Sequence, residues 1–313
     1  MSTHYTSVAK SLHWLMALMI FGLLALGFYM SDLPLSPEKL QLYSWHKWAG
    51  ITVFVLVWLR LVWRITHRPP ALPGSMSPLM QLGVTTGEID AFIRDEVERR
   101  GAVSATIGYR GYQHASCISV NHVVCHGIPG SKIPGRSSDA LQAGDIVNVD
   151  VTVIVDGWYG DSSRMYAVGT LKPFALRLIN VTHEALMKGI AAVKPGNTFG
   201  DIGHAIQTHV EAARMSVVRD FCGHGLGRVF HAPPNVLHYG RAGTGAVLEE
   251  GMFFTIEPMV NLGRPETKTL SDDWTAITRD KSLSAQFEHS VGVTATGCEI
   301  FTLSPAGKFH PTW

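Results

Sequence analysis

The first seventy residues differ in hydrophobic pattern from the rest of the chain. Residues 12–30 form an almost unbroken apolar run without acidic or basic side chains, and residues 48–63 form a second run with Arg60 near its end. A helix needs about 20 apolar residues to cross a bilayer. The pattern predicts a two-helix transmembrane hairpin in residues 1–72, followed by a linker at residues 73–82.

Basic residues flank this predicted hairpin at both of its ends. Lys10 precedes the first run and Arg64 and Arg68 close the second, whereas the connecting loop contains Asp32 and Glu38. Because short cytoplasmic segments carry an excess of Lys and Arg, both ends are expected to face the cytoplasm. The downstream domain is then expected to be cytoplasmic and tethered to the inner membrane.

Two histidines lie at the starts of the apolar runs, His13 in SLHWLMALMIFGLLALGFYM and His46 in SWHKWAGITVFVLVWLRLVWR. These segments resemble the first two helices of the bacterial cytochrome b561 family, and the resemblance implies haem b ligands. Antiparallel helices would place the two histidines at opposite membrane faces, so they cannot hold one haem between them. The expectation is a truncated module that does not bind haem b.

An internal repeat marks the beginning of the second domain, residues 83–313. GVTTGEIDAFIRDEVE, starting at Gly83, aligns with GNTFGDIGHAIQTHVE, starting at Gly196, at an offset of 113 residues. Each copy opens with a capping box and continues with apolar residues at i, i+4 and i+8, which predicts two amphipathic helices in equivalent halves. The alternative is a chance similarity between two helix starts.

The second copy is preceded by a predicted helix at residues 173–193, whose counterpart at the same offset would be residues 60–81. That window contains several helix-breaking residues, namely Pro69, Pro70, Pro73, Gly74 and Pro78. No helix is predicted through it. The first half is therefore expected to lack one packing helix and to expose an apolar groove, unless the window is simply a linker.

The chemistry of the second domain centres on four carboxylates and one imidazole. Residues 145–155 and 158–168 predict a hairpin with Asp156-Gly157 at the turn, which places Asp150 and Asp161 on one face. His224 lies in a glycine-rich segment, and Glu257 and Glu288 each interrupt a strand-like apolar segment. Oxygen-rich ligation with one imidazole favours a pair of divalent ions, with Mn, Fe(II) or Co as plausible metals.

Composition excludes few other classes of function. The formal net charge is +1, which gives no indication of a nucleic-acid partner. The four cysteines form no C-x-x-C pair, as expected for reduced thiols that mostly fill apolar space.

From about residue 83 onward the chain resembles the bacterial type I methionine aminopeptidases. The matching segments are CISVNHVVCHGIPG, DIVNVDVTVIVDGWYGDSSRMYAVG, CGHGLGRVFH, FTIEPMVN and SLSAQFEHSVGVT. The resemblance implies an α+β pita-bread fold with a pseudo-twofold repeat. It also implies hydrolysis that removes the initiator methionine from nascent polypeptides, with the ribosome as one place of encounter.

The resemblance further implies a role for each matching residue. Asp150 would bind one metal, His224 and Glu257 the other, and Asp161 and Glu288 both. Glu257 would also shuttle the proton during dinuclear-metal hydrolysis. The expected contacts to the scissile peptide group and to the methionine side chain come from His126, His231, Tyr109, Tyr112, Cys117, Phe230 and Trp274.

Three departures from the family pattern qualify this interpretation. Thr106 stands where cysteine often occurs, and His122 replaces a more usual acidic residue. The cytochrome-like hairpin takes the place of the family's N-terminal helix, which puts stability and activity in doubt. The alternatives are another pita-bread peptidase of the Xaa-Pro type, a membrane electron-transfer module with a passive second domain, and an inactive fusion.

Overall fold

The computed structural model describes residues 7–34, 36–66 and 80–304. Contacts within the chain separate it into two compact units, residues 1–74 and residues 75–313. The two units are described separately below.

The first unit consists of two packed helices, α1 (Ser7–Asp32) and α2 (Pro37–Thr66). A Cβ added to Gly27 would lie 3.4 Å from Cε1 of His46, so the end of α1 lies against the beginning of α2. With so short a connection, the helices run antiparallel. Large apolar side chains of α1 point outward, since Trp14 is 66% exposed and Phe28 is 74% exposed.

Among the residues that the structure describes, one helical segment, Trp14–Asp32, is long and apolar enough to cross a membrane. A second spanning helix therefore stays a prediction. Position 13 on α1 is fourteen residues from Gly27, which contacts His46, and this corresponds to about 21 Å along the helix. Position 13 and His46 therefore lie toward opposite ends of the helix pair, and the expectation that haem b is not bound stays a prediction.

The prediction that no helix runs through residues 60–81 stays a prediction, because α2 occupies only the beginning of this window. The apolar pattern of α2 continues through Arg60, and the helix ends only at Thr66, before Pro69 and Pro70. Residues 67–79, which hold the prolines of that window, lie outside the described residues.

The second unit contains three helices, α3 (Thr86–Arg99), α4 (Pro173–Ala191) and α5 (Phe199–Ala212), and a short 3₁₀ turn at Tyr109–Gly111. Its strands before α4 are β1 (Val103–Ser104), β2 (Cys117–Val120), β3 (Val123–Cys125), β4 (Ile146–Val155) and β5 (Trp158–Ala167). Its strands after α5 are β6 (Ser216–Val217), β7 (Gly223–Gly225), β8 (Ala232–Val236), β9 (Phe253–Ile256), β10 (Met259–Asn261), β11 (Thr267–Thr269), β12 (Ala276–Thr278), β13 (Ser284–Gln286), β14 (His289–Val293) and β15 (Cys298–Ile300).

These strands form four small sheets, all with antiparallel pairing. The first sheet has the order β1-β4-β2 with β5 paired to β4, and the largest has the order β15-β14-β9-β7-β8. Two three-stranded sheets, β13-β10-β6 and β11-β12-β3, complete the set. Apart from the ten-residue ladder between β4 and β5, the strands are five residues or shorter, and Glu257 and Glu288 lie next to strand ends.

The repeat predicted from the sequence is present in the structure. α3 and β1 recur as α5 and β6 at an offset of 113 residues, and both helices begin with a complete capping box. Backbone contacts recur as well, since Gly83 N–H donates to Leu141 O at 2.9 Å and Gly196 N–H donates to Leu248 O at 3.1 Å. The two halves therefore share the same local backbone structure.

The two halves differ in how their helices are covered. In the second half, α4 packs on α5, and Ile206 of α5 is fully buried beside Gly189 of α4. Ile93, the equivalent of Ile206 on α3, is only half-buried. Phe92 and Leu82 nearby in sequence are 48% and 70% exposed. The apolar surface expected on the first half is present at these positions.

A buried ion pair anchors the beginning of β4. The Asp145 carboxylate is 3% exposed and accepts hydrogen bonds from both terminal nitrogens of Arg136, from Gln142 N and from Asn121 Nδ2. Burial by itself raises the pKa of the Asp145 carboxyl, but the hydrogen bonds from these three residues outweigh burial, and the pKa lies below its usual value.

Replacing Arg136 with Met is expected to lower the free energy of unfolding by roughly 1.5–3 kcal/mol, because a buried carboxylate loses its charged donor. Since the folded-state pKa of Asp145 lies below the unfolded value, the contribution is complete above about pH 4 and is lost as the pH falls below it. Urea titrations at several pH values measure the difference. Arg99→Met, at an exposed pair with Glu96, is the control and should change little.

Candidate active site

The β4–β5 hairpin places the first two carboxylates on one face. Asp150 pairs across the ladder with Ser163, and Thr152 pairs with Asp161, which is the register predicted from the two-residue turn. Thr152 Oγ1 donates to Asp161 Oδ1 at 2.7 Å, and this hydrogen bond fixes the rotation of the carboxylate. Strand alternation therefore directs Asp150, Thr152 and Asp161 toward the same cavity.

His224 is held at the centre of β7 between backbone groups. The backbone N–H of His224 donates to Thr255 Oγ1 at 3.0 Å, and the ring nitrogen Nδ1 lies 3.1 Å from Gly225 O. A Cβ on Gly225 would lie 2.3 Å from Pro233 O, so only glycine permits this close approach of β7 and β8. Nε2 remains free to face the carboxylates, 3.7 Å from Asp161 Oδ2 and 3.7 Å from Glu257 Oε1.

The two glutamates lie at breaks between consecutive strands. Glu257 follows β9, and its N–H, which the ladder does not use, donates to His238 Nε2 at 3.1 Å. Thr255 Oγ1 and Gln286 Nε2 donate to its two carboxylate oxygens at 2.9 and 3.3 Å. Glu288 precedes β14, and its N–H donates to Ser163 O at 3.1 Å.

These five side chains line one cavity of about 480 Å³. Ligand atoms of Asp161, His224 and Glu288 lie within 4.8 Å of one another, and all three residues are buried. Asp150 and Glu257 line the same space. Carboxylate oxygens with a single imidazole nitrogen are suitable ligands for a divalent metal ion, and the residues present therefore fit such ions.

Burial and mutual repulsion favour the protonated forms of the carboxyl groups in the cavity. Burial raises the pKa of Asp161 to about 7 and that of Glu257 to about 8, with the Asp161 carboxylate adding to the effect on Glu257. Burial, Asp161 and Glu257 also raise the pKa of Asp150 and of Glu288. Burial lowers the pKa of His224, so the imidazole stays neutral and offers no compensating charge.

The structure places every other residue that the resemblance implied at this cavity, namely His126, His231, Tyr109, Tyr112, Cys117, Phe230 and Trp274. His231 stacks on Tyr109 at 5.2 Å between ring centroids and lies 4.1 Å from the ring of His224. Burial, His224 and then Arg110 lower the pKa of His231 to about 4. His46 lies on α2 in the other unit, and the side chain of His13 is outside the described residues.

Sequence reasoning missed a layer of residues that support the carboxylates and part of the cavity wall. Thr152 and Thr255 each lie two positions from a carboxylate, and strand alternation alone could have identified them. His238 and Gln286 carried no comparable signal. Other wall residues not singled out are Arg110, Asp220, Phe221, Cys222 and Met259.

Comparison with known proteins identifies the second unit. The model of metallopeptidase family M24 matches residues 68–295. The methionine aminopeptidase of Rickettsia prowazekii is 54% identical over 231 residues, which are 74% of this chain and 86% of that protein. The chain belongs to the methionine aminopeptidases of metallopeptidase family M24.

Other relatives agree with this assignment. The methionine aminopeptidase of Escherichia coli K12 is 51% identical over 229 residues, which are 73% of this chain and 84% of that protein. The crystal structure of the Rickettsia prowazekii enzyme superposes with a TM-score of 0.69 and covers 72% of this chain and 88% of its own. The structure from Thermotoga maritima gives 0.67 at 39% identity and covers the same shares. These neighbours confirm the pita-bread fold and the metal-dependent aminopeptidase predicted from the motifs.

A second family model, prokaryotic cytochrome b561, matches residues 4–86 and overlaps the first match at residues 68–86. It covers the same apolar segments that carried the resemblance in the sequence. The match shows that the first unit is similar to this family and says nothing about haem.

The metal-free protein is expected to become less stable as the pH rises. The pKa values of the buried acids are higher in the folded state than in the unfolded state. Their protonation therefore contributes fully to the free energy of unfolding below about pH 4, and this contribution is lost as the pH rises through about 7 and 8. Thermal unfolding in a chelator should show a falling Tm from pH 5 to pH 8.5. Added Mn²⁺ should remove this trend, because it supplies the charge that the protons supplied.

The control for this expectation is the double variant Asp161→Asn, Glu257→Gln, measured in the same chelator. Its Tm should depend less on pH, since two of the four acids no longer ionise. A wild-type Tm that stays constant over this range would contradict the assignment of the cavity as a site of uncompensated negative charge.

Proposed function

We propose that this chain removes the initiator methionine from new polypeptides by means of two divalent metal ions held by Asp150, Asp161, His224, Glu257 and Glu288. The family is a family of metallopeptidases, and its methionine aminopeptidases are about 50% identical to this chain. The observation that carries the proposal is a group of three buried carboxylates, the half-buried carboxylate of Asp150 and one neutral imidazole around a single cavity.

The proposed ligands divide between two sites. We assign Asp150 to one ion, His224 and Glu257 to the other, and Asp161 and Glu288 to both. In support, Nε2 of His224 lies 3.7 Å from both Asp161 Oδ2 and Glu257 Oε1. Mn, Fe(II) or Co suit such an oxygen-rich set with one imidazole, and haem b has no place in it.

The reaction divides between the ions and the side chains. Bound divalent ions would supply a hydroxide nucleophile near neutral pH and positive charge for the developing oxyanion. Glu257 would take and return a proton. Neutral His231 would donate a hydrogen bond to the scissile carbonyl oxygen, and His126 would contact the scissile amide nitrogen.

The remaining cavity wall is suited to the methionine side chain. The rings of Tyr112 and Trp274 pack in a tilted arrangement with their centroids 4.8 Å apart, and those of Tyr109 and Phe230 do the same at 4.8 Å. Cys117 completes the wall beside Asp150. Aromatic rings and a thiol make favourable contacts with a flexible thioether, so we assign these five residues to the substrate pocket.

An Xaa-Pro peptidase is the alternative within the same fold. The prolidase of Pyrococcus horikoshii superposes with a TM-score of 0.53 at 20% identity, which shows a shared fold alone. The higher identity to methionine aminopeptidases favours methionine as the residue removed.

The full chain with added Mn²⁺ or Co²⁺ is expected to hydrolyse Met-Ala-Ser and not Ala-Pro peptides. Glu257→Gln should lower kcat by at least about 100-fold, because it removes both a ligand and the proton carrier. Release of free methionine from each peptide measures both effects. Glu249→Gln, at an exposed glutamate outside the cavity, is the control. Turnover of Ala-Pro alone would reject the proposed substrate.

We further propose that the first unit tethers the catalytic domain to the cytoplasmic face of the inner membrane. α1 contains a span long and apolar enough to cross a bilayer, and its large apolar side chains are exposed. Lys10 and the basic residues after the second apolar run favour cytoplasmic ends. An inactive fusion product is the alternative for the whole chain.

Replacing both Phe21 and Leu24 with Arg in the full chain is expected to move the protein from carbonate-washed membranes to the soluble fraction. Each charge near the centre of a spanning helix costs about 2.5–3.5 kcal/mol. The matched control is Leu82→Arg with Phe92→Arg, at exposed apolar residues of the other unit.

Equal peptide hydrolysis by the full chain and by a copy beginning near Leu79 would show that the hairpin is dispensable for chemistry.

A further inference from the structure

The mouth of the catalytic cavity carries one guanidinium, that of Arg110, whose charge no residue of the described chain neutralises. Arg110 lines the cavity, is exposed, and lies over the Tyr109 ring at 5.4 Å. Some arginines of the described part form ion pairs, namely Arg94, Arg99, Arg100, Arg136 and Arg219, and others do not, so what distinguishes Arg110 is its position on the cavity wall. In residues 7–34, 36–66 and 80–304, Arg110 forms no ion pair.

The backbone holds this side chain at the mouth in an unfavourable conformation. Arg110 has φ 47° and ψ 33°, in the left-handed region that glycine usually occupies. The turn around it is closed by hydrogen bonds, since Gly108 N–H donates to Tyr112 O at 2.7 Å and Tyr112 N–H donates to Tyr109 O at 2.9 Å. A side-chain-bearing residue held in this region is a feature that concentrates at functional sites.

The other charged side chains on the wall of the cavity are carboxylates. Asp220, also at the wall, accepts hydrogen bonds from Thr267 N at 3.2 Å and Thr267 Oγ1 at 2.6 Å. The buried carboxylates suit the bound metal ions described above. Arg110 is therefore the charge at the mouth that is left to attract a group from the substrate.

The position of Arg110 indicates which part of the substrate it meets. Its neighbour Tyr109 stacks on His231, the residue assigned to the scissile carbonyl. The methionine occupies the aromatic pocket, so the peptide after the scissile bond leaves through the mouth at about 3.3–3.6 Å per residue. The first few residues after methionine pass within reach of a long guanidinium side chain.

We propose that Arg110 is a specificity-determining residue that binds a substrate carboxylate beyond the scissile bond, so that chains with Asp or Glu soon after the initiator methionine are preferred. The inference rests on the proposed function and deepens it. The free C-terminal carboxylate of a very short peptide could also bind Arg110. Comparing amidated with free-acid peptides separates this carboxylate from that of an Asp or Glu side chain.

The test compares kcat/KM of the full chain with Mn²⁺ for C-terminally amidated Met-Ala-Asp-Ser and Met-Ala-Lys-Ser. At low ionic strength the acidic peptide is expected to be favoured by about two- to five-fold, the range of an exposed ion pair, and salt should reduce the ratio. Arg110→Met should abolish the preference, Arg110→Lys should retain part of it, and Arg110→Glu should reverse it.

The matched control is Arg241→Met, which removes an exposed charge from a loop outside the cavity and should leave the ratio unchanged. A ratio near one in the wild type, or an unchanged ratio in Arg110→Met, would overturn the inference while methionine release continues to support the proposed function. A preference for free-acid over amidated Met-Ala-Ser without any preference for Asp would also overturn it. Failure to release methionine from every peptide would overturn the proposed function itself.

Discussion

Removing four carboxylates from water is the constraint on which the catalytic unit depends. Asp161, Glu257 and Glu288 are each less than a tenth exposed, and burial raises the pKa of all of them. A single neutral imidazole offers no counter-charge. The negative charge of the cavity is therefore balanced only by protons or cations. Of these, a pair of divalent cations would also supply the chemistry for peptide hydrolysis.

The surrounding fold is arranged to hold these charges in fixed orientations. Short antiparallel ladders end beside the cavity, and the gaps between strands place Glu257 and Glu288 with backbone groups free for hydrogen bonding. Hydroxyl groups from Thr152 and Thr255 fix the carboxylates from behind. This outer layer limits the rotation of the ligands, which reduces the entropy lost when metal binds.

The two halves of the internal repeat share their local structure but differ in how their helices are packed. Equivalent helices and backbone contacts build two halves that meet at the site. The second half covers its helix with α4, and Ile206 is fully buried there, whereas its equivalent Ile93 is only half-buried. Less apolar area is removed from water on the first half, so it contributes less hydrophobic stabilisation per residue.

The sequence by itself determined the local structure and predicted which side chains line the cavity. Capping boxes, the two-residue turn and strand alternation depend on neighbours in the chain, and they predicted the two repeat helices and the register that pairs Asp150 with Ser163. The family motifs identified the fold and the activity. Each of these signals lies within about twenty residues, where pattern and propensity act directly.

Only the tertiary structure decided which distant groups meet. His238 reaches Glu257 and Gln286 reaches the same carboxylate across different strands, and no local pattern encodes such contacts. The free guanidinium of Arg110 also emerged only from the fold, since whether a charge is paired depends on what surrounds it in three dimensions.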